Sequence, residues 1–132
     1  MAEDYTILML EDEPLILLDL EFAAEDRGCR AVTATNSDAA LKLITQHGSG
    51  IDLAILDVSL GGGNTCFPVA HELDKLGIPY ILHSGDLDRH NERIRKLQAQ
   101  LVAKPASAAK VIAAAIAHSE GENTQSVRLA AE

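Results

Sequence analysis

The sequence predicts an α/β fold in which five parallel strands form a doubly wound sheet. Five helices in total cover its two faces. Short β-rich runs alternate along the chain with segments of helical length, and such alternation is typical of βαβ units. The run 51–56 is almost entirely apolar, as expected for a central strand that helices cover on both faces. With 132 residues, 47% of them hydrophobic, the chain is long enough for one domain with one sizeable core.

The strands are predicted from runs rich in β-branched and other apolar residues. The five runs are Tyr5 to Leu10, Arg30 to Thr35, Ile51 to Asp57, Ile78 to Ser84 and Leu101 to Lys104. Because each pair of runs is separated by a helix-length segment, right-handed crossovers would make all five strands parallel.

The helices are predicted from end signals and apolar spacing. Pro14 suits a first helical turn, Asn36 is an N-cap candidate, and Gly77 follows an apolar stripe that ends at Leu76. A fourth helix is predicted around residues 87–97 and a fifth at 106–118. We expect the folded domain to span residues 1–119, with 120–132 as a flexible tail of few apolar residues.

Composition and charge exclude several classes of protein. A net charge of −9 disfavours direct binding to nucleic acid, which requires surplus Lys and Arg. No segment is long and apolar enough to span a membrane, and the acidic N-terminus does not look like a secretory signal. Cys29 and Cys66 form neither a CxxC motif nor a disulfide framework. We therefore expect a cytoplasmic protein.

Polar residues stand where the predicted strands end. Glu11 and Asp12 follow the first strand, and Asp57, Ser84 and Lys104 end the third, fourth and fifth. The carboxyl ends of parallel strands share one edge of the sheet, where ligands bind. Clustered carboxylates suit Mg²⁺, a carboxylate can accept a phosphoryl group, and a hydroxyl and an ammonium can contact its oxygens. The pattern therefore favours a phosphoryl-transfer site.

Each of these residues also has an ordinary structural explanation. The acidic pair could form a solvated turn or a helix cap, Asp57 could cap the loop that follows it, and Ser84 could be a turn residue. Lys104 could be a surface lysine at a strand end. Their coincidence at one edge of a single sheet favours the functional interpretation.

Four motifs resemble those of response regulator receiver domains over residues 5–119. They are LEDEP after the first strand, ILDVSLGG at the third, HSG at the fourth and AKPA at the fifth. The resemblance implies that Asp57 is the phosphoacceptor and that Ser84 and Lys104 contact the phosphate. It also implies Mg²⁺ bound by Glu11, Asp12, Asp57 and the backbone carbonyl of Ser59, and a cis peptide between Lys104 and Pro105.

The resemblance also implies a role in a two-component phosphorelay. Such a domain accepts a phosphoryl group from a histidine kinase or a histidine phosphotransfer domain and signals through other proteins, without being a turnover enzyme. The alternative is a receiver-like binding module that works without phosphorylation. PYILHSG is similar to an atypical subgroup of stand-alone receivers that is associated with an unusual class of histidine kinases.

Other uses of this fold fit the sequence less well. A phosphohydrolase would need a second carboxylate where Ser59 stands, and a flavodoxin-like cofactor binder would need more aromatic residues. Two departures from the receiver pattern affect switching: Leu101 replaces the usual aromatic residue, and Gly61, Gly62 and Gly63 replace a loop proline. The glycines predict a loop that is mobile until phosphate or metal orders it.

Two surfaces are candidates for contact with partners. The first helix has more apolar residues than one buried face requires, which predicts either an exposed docking patch for the phosphodonor or complete burial against the fifth helix. These residues are Leu15, Ile16, Leu17, Leu18 and Leu20. The fourth helical segment carries Arg89, Arg93, Arg95 and Lys96, which could meet an acidic partner or form ion pairs on an exposed helix.

Overall fold

The computed structural model describes residues 5–85, 97 and 99–131, with the side chains of residues 49 and 122–131 left aside. The strands are β1 (Thr6–Leu10), β2 (Arg30–Ala34), β3 (Leu53–Leu56), β4 (Tyr80–Ser84) and β5 (Gln100–Ala103). The helices are α1 (Pro14–Asp26), α2 (Ser37–His47), α3 (Phe67–Leu76) and α4 (Ala108–Ala131), and a short 3₁₀ turn occupies Gly48–Gly50.

All five strands are parallel and lie in the order β2-β1-β3-β4-β5. Strand β1 pairs with both β2 and β3, so that Leu8 lies between Val32 and Ala54. The strand order reverses between β1 and β3, and in open α/β sheets ligands bind at the carboxyl ends beside such a reversal. The predicted fold class is confirmed.

Alternation along the strands divides the core into two halves. Ile7 and Ile55 face a layer that contains α1 and α4, and Leu8 and Leu56 face a layer that contains α2 and α3. Successive side chains of a strand point to opposite faces, so a strand covered on both sides must be apolar at every position. This requirement explains why all four residues of β3 are buried.

The helix ends follow the predicted signals. The Asn36 side chain accepts a hydrogen bond of 2.8 Å from the amide of Ala39, as an N-cap does, and Pro14 is the first residue of α1. Gly77 ends α3 with φ 70°, a left-handed conformation that glycine adopts without steric cost. No helix among the described residues is both long and apolar enough to cross a membrane.

Several predicted boundaries differ from those of the structure. Strand β3 is shorter at both ends than the apolar run, and β5 begins one residue before Leu101. The predicted fourth helix, with its basic side chains, lies outside the described residues except for Leu97, so the described part of the chain contains four helices. The backbone of α4 continues to Ala131, and the flexibility of residues 120–132 stays a prediction.

Candidate functional site

The ends of three strands place the candidate site residues through backbone hydrogen bonds. The amide of Glu11 donates to the carbonyl of Ala34, and the amide of Asp57 donates to the carbonyl of Leu10. On the other side of the site, the amide of Lys104 donates to the carbonyl of Ser84 over 3.1 Å. Each residue continues the hydrogen-bond ladder of its strand, so the sheet fixes the backbone position from which each side chain extends.

Three carboxylates meet at this edge. One oxygen each from Glu11, Asp12 and Asp57 lies within 4.8 Å of the others. Glu11 and Asp57 are buried, whereas Asp12 is more exposed. Two like charges at this spacing repel by roughly 3–4 kcal/mol at an effective dielectric near 20, so the cluster requires a cation or a proton.

Lys104 supplies a positive charge to this cluster. Its Nζ donates hydrogen bonds to Oε2 of Glu11 at 3.2 Å and to Oδ2 of Asp57 at 3.3 Å. Glu11 Oε2 also accepts from the amide of Glu13, the residue before α1. Glu11 Oε1 lies 3.1 Å from Nζ but forms no hydrogen bond with any described residue. One buried acceptor atom of the cluster thus remains available to a ligand.

Burial and neighbouring charges change the protonation of the cluster. Desolvation and the Glu11 carboxylate raise the pKa of Asp57 to about 7, although Lys104 opposes this shift. For Lys104, desolvation lowers the pKa, but the Asp57 and Glu11 carboxylates outweigh it and the net shift is upward. Near neutral pH, Asp57 is therefore divided between its protonated form and its carboxylate form.

Two serines were predicted to take part in the site: Ser84 ends β4, and Ser59 lies in the loop after β3. Ser84 is the last residue of β4 and is buried. Ser59 follows Asp57 by two positions and forms an isolated antiparallel bridge with Thr65, which closes the loop between them. Gly61, Gly62 and Gly63 at its tip all have φ between 59° and 82°, and a Cβ on Gly61 would lie 3.4 Å from Asp12 Oδ2. The loop therefore passes directly beside the acidic pair.

The residues present fit Mg²⁺. Three carboxylates provide hard oxygen ligands, and Glu11 Oε1 is buried without a hydrogen bond from the described residues. Mg²⁺ usually takes one or two protein carboxylates and keeps several waters, so three carboxylates plus one backbone carbonyl are sufficient. Lys104 contacts two of the three carboxylates, and Mg²⁺ would add positive charge that a single ammonium does not supply.

Solved structures resemble this chain over most of its length. The solution structure of SdrG from Sphingomonas melonis Fr1 is 34% identical, covers 91% of this chain and 99% of its own, and has a TM-score of 0.74. A response regulator receiver domain from Clostridium thermocellum has a TM-score of 0.77 at 24% identity, covering 92% and 98% of the two chains. The chain belongs to the family of response regulator receiver domains.

A longer curated protein also resembles this receiver domain. The phyllosphere-induced regulator PhyR of Methylorubrum extorquens is 30% identical over 108 residues, which is 81% of this chain. The chain spans only 40% of the length of that relative. No protein-family model matches the receiver's sequence.

The helix α1 of the receiver exposes part of its apolar surface, as predicted. Leu15 is 77% exposed and Leu18 43% exposed, whereas Leu20 is buried. Complete burial against α4 is therefore wrong. Phe22, 56% exposed, extends the same stripe at i+4 from Leu18; it was not predicted, although its spacing was a sufficient signal.

Three further residues of the receiver lie on strands β4 and β5. Leu101, at the position of the usual aromatic residue, lies on the edge strand β5 and is 36% exposed. Tyr80 is buried, its hydroxyl donates to Asp74 Oδ2 of α3 over 3.4 Å, and burial raises its pKa. His83 is buried at the end of β4, and its environment is unlike that of the other site residues.

Proposed function

We propose that this receiver accepts a phosphoryl group on Asp57 with Mg²⁺ and acts in a two-component phosphorelay in the cytoplasm. The observation that carries the proposal is the contact of Lys104 with both Glu11 and Asp57, two buried carboxylates at the ends of adjacent strands. A purely structural ion pair would require one carboxylate, whereas Lys104 contacts two and a third, Asp12, lies beside them. Buried carboxylates in excess of their cations support binding of a further cation.

Each residue would have a distinct role in phosphoryl transfer. A carboxylate oxygen of Asp57 attacks phosphorus, a P–O bond forms, and the P–N bond to the donor histidine breaks as its imidazole leaves with the electron pair. Lys104 and the Ser84 hydroxyl would contact the phosphoryl oxygens. When bound by Glu11, Asp12, Asp57 and the Ser59 carbonyl, Mg²⁺ would supply charge neutralisation for the carboxylates and the phosphoryl oxygens.

We further propose that the exposed stripe on α1, defined by Leu15, Leu18 and Phe22, receives the phosphodonor protein. The stripe lies on the helix that follows the acidic pair, so a helical donor docked there would bring its histidine near Asp57. Apolar side chains of this size are costly to expose without a partner. The donor would be a histidine kinase or a histidine phosphotransfer domain, and the phosphorylated receiver would signal by binding another protein rather than by catalysing turnover.

Intact-mass measurement after incubation with acetyl phosphate and Mg²⁺ tests the proposal. We expect one added phosphoryl group on the wild-type chain, none on Asp57→Asn and none with excess chelator. Asp26→Asn is a matched control, because Asp26 is an exposed carboxylate at the opposite end of α1 and should leave the adduct unchanged. A folded wild-type chain that gains no phosphoryl group from acetyl phosphate or from a phosphorylated histidine donor would contradict the proposal and favour a phosphorylation-independent binding module.

A further inference from the structure

A cavity lies beside the acidic cluster, on the face of the sheet that α1 and α4 cover. Its volume is about 400 Å³, within the usual range for sites of small organic ligands. Its apolar walls include Ile16 and Leu20 of α1 and Pro105 before α4. A single protein side chain would fill only part of this volume, which favours a free small molecule as the occupant.

His83 provides the buried polar group of the cavity. It is only 3% exposed, and neither Nδ1 nor Nε2 has a hydrogen-bond partner among the described residues. It shares a face of β4 with Ile81, which packs in the layer of α1 and α4. An unpaired buried polar group costs roughly 1–3 kcal/mol, so a ligand that pairs with the imidazole would recover part of this cost.

The protonation of His83 determines what that ligand can offer. Burial, assisted by the positive charge of Lys104, lowers the pKa of His83 to about 4. The ring is therefore neutral under ordinary conditions and presents one N–H donor and one acceptor nitrogen. A ligand with N–H groups can donate to that acceptor.

The charges around the cavity favour a cationic ligand. Glu13, just before α1, and Asp19, on α1, are both exposed and line it. Among the described residues that line it, Lys104 is the only cation, and its ammonium is already paired with Glu11 and Asp57. The remaining field is negative, so an anion would be repelled and a cation attracted.

We propose that this cavity binds a small organic cation, an amidinium or guanidinium group on an apolar ring or chain. Its N–H groups donate to the His83 ring and to the carboxylates of Glu13 and Asp19, while its apolar part contacts Ile16 and Leu20. The cavity borders the phosphoryl-transfer site through Lys104, but the groups proposed to bind the cation, His83, Glu13 and Asp19, are not phosphorylation residues, and occupancy does not require a phosphodonor.

Benzamidine is a suitable probe, because it joins an amidinium to a flat apolar ring. Titration into the full-length ¹⁵N-labelled chain, followed by NMR, should give saturable shifts at His83 and in α1 with Kd of about 1 mM or lower. Benzamide, which is neutral, and benzoate, which is anionic, should bind at least about tenfold more weakly. Absence of saturable shifts, or equal binding of all three compounds, would overturn the proposal.

Variants assign the binding to this cavity. His83→Phe should abolish it, since the phenyl ring offers the amidinium no acceptor nitrogen. Because that variant could disturb folding, Asp19→Asn provides a second test at an exposed position and should weaken benzamidine several-fold without affecting benzamide. Glu25→Gln, at the far end of α1, should change nothing.

One further variant distinguishes the cavity from the neighbouring acidic cluster. Asp12→Asn removes a carboxylate of the cluster that does not line the cavity and should leave benzamidine affinity within about twofold. Loss of binding in Asp12→Asn with retention in Asp19→Asn would place the cation among the phosphorylation residues and overturn the proposal. The result does not depend on phosphorylation of Asp57, so the two proposals fail or succeed independently.

Discussion

The acidic cluster and the His83 cavity are adjacent, and burial acts on their titratable groups in opposite directions. Desolvation raises the pKa of Asp57 and lowers that of His83, which in both cases favours the uncharged form. The Asp57 carboxylate has Lys104 within hydrogen-bonding distance, whereas the imidazole has no partner among the described residues. A nearby cation can therefore favour the ionised form of Asp57, whereas His83, with no partner among the described residues, stays neutral.

Removal of the shared lysine should have the largest effect on this comparison. Lys104→Met leaves Glu11 and Asp57 buried without their cation, so we expect the free energy of unfolding to fall by roughly 3–4 kcal/mol at about pH 8 without Mg²⁺. Urea denaturation measures this change. Lys75→Met, which removes an exposed pairing with Glu72, should cost less than about 1 kcal/mol. Equal losses in the two variants would show that the Lys104 pairs contribute nothing special.

Asp57→Asn should remove the contribution of Asp57 to the pH dependence of stability and leave that of His83. With a pKa raised to about 7 in the fold, Asp57 binds a proton more tightly when folded, so it makes stability fall as pH rises from about 4 to 7. Asp57→Asn should remove that fall and raise the free energy of unfolding by roughly 1–3 kcal/mol at about pH 8 without Mg²⁺. An unchanged pH profile would contradict the burial of a protonated Asp57.

His83→Leu should have the opposite effect on the pH profile. Because the folded pKa of His83 is lowered to about 4, its contribution to stability is present above its unfolded pKa and is lost as pH falls towards 4. The variant should remove this acid sensitivity and stabilise the chain by roughly 1 kcal/mol near neutrality, since an unpaired polar group is replaced. His47→Leu, at an exposed position on α2, is the control and should do neither.

Polar substitution of the α1 stripe should affect stability least of all. Leu15→Ser with Leu18→Gln should change the free energy of unfolding by less than about 1 kcal/mol, because both side chains are largely exposed. Phosphorylation by a histidine kinase or phosphotransfer domain should slow by about tenfold or more, which corresponds to the loss of one good apolar contact. Phosphorylation by acetyl phosphate should be unchanged. A variant that the protein donor phosphorylates as fast as the wild-type chain would contradict the docking proposal.

The sequence was sufficient for the fold and for much of the acidic cluster, because both depend on local patterns. The alternation of strands and helices determines a parallel sheet, and residues directly after β1, β3 and β5 must then share an edge. Glu11, Asp57 and Lys104 are brought together as the strand ends implied. The chemical roles of these residues and those of Ser59 and Ser84 stay predictions.

The His83 cavity could not be predicted in the same way. It depends on the spacing between α1 and the segment before α4, which no local pattern encodes. A weak signal was present, since a histidine at an alternating position with Ile81 must point into a covered face. Whether the His83 ring would find a hydrogen-bond partner on that face depended on tertiary packing. Boundaries also shifted where apolar runs continue beyond the hydrogen-bonded ladder, as around β3.

The glycine loop after Ser59 also restricts how this sequence can vary. Three adjacent residues hold left-handed backbone angles that side chains with a Cβ rarely adopt, and Gly61 approaches an oxygen of Asp12. Nearly every single-codon change in this tract should therefore strain the loop, even though it lies on the surface, where substitutions are usually tolerated. A library that scans every position of the chain should reveal an exposed stretch with the mutational intolerance of a core.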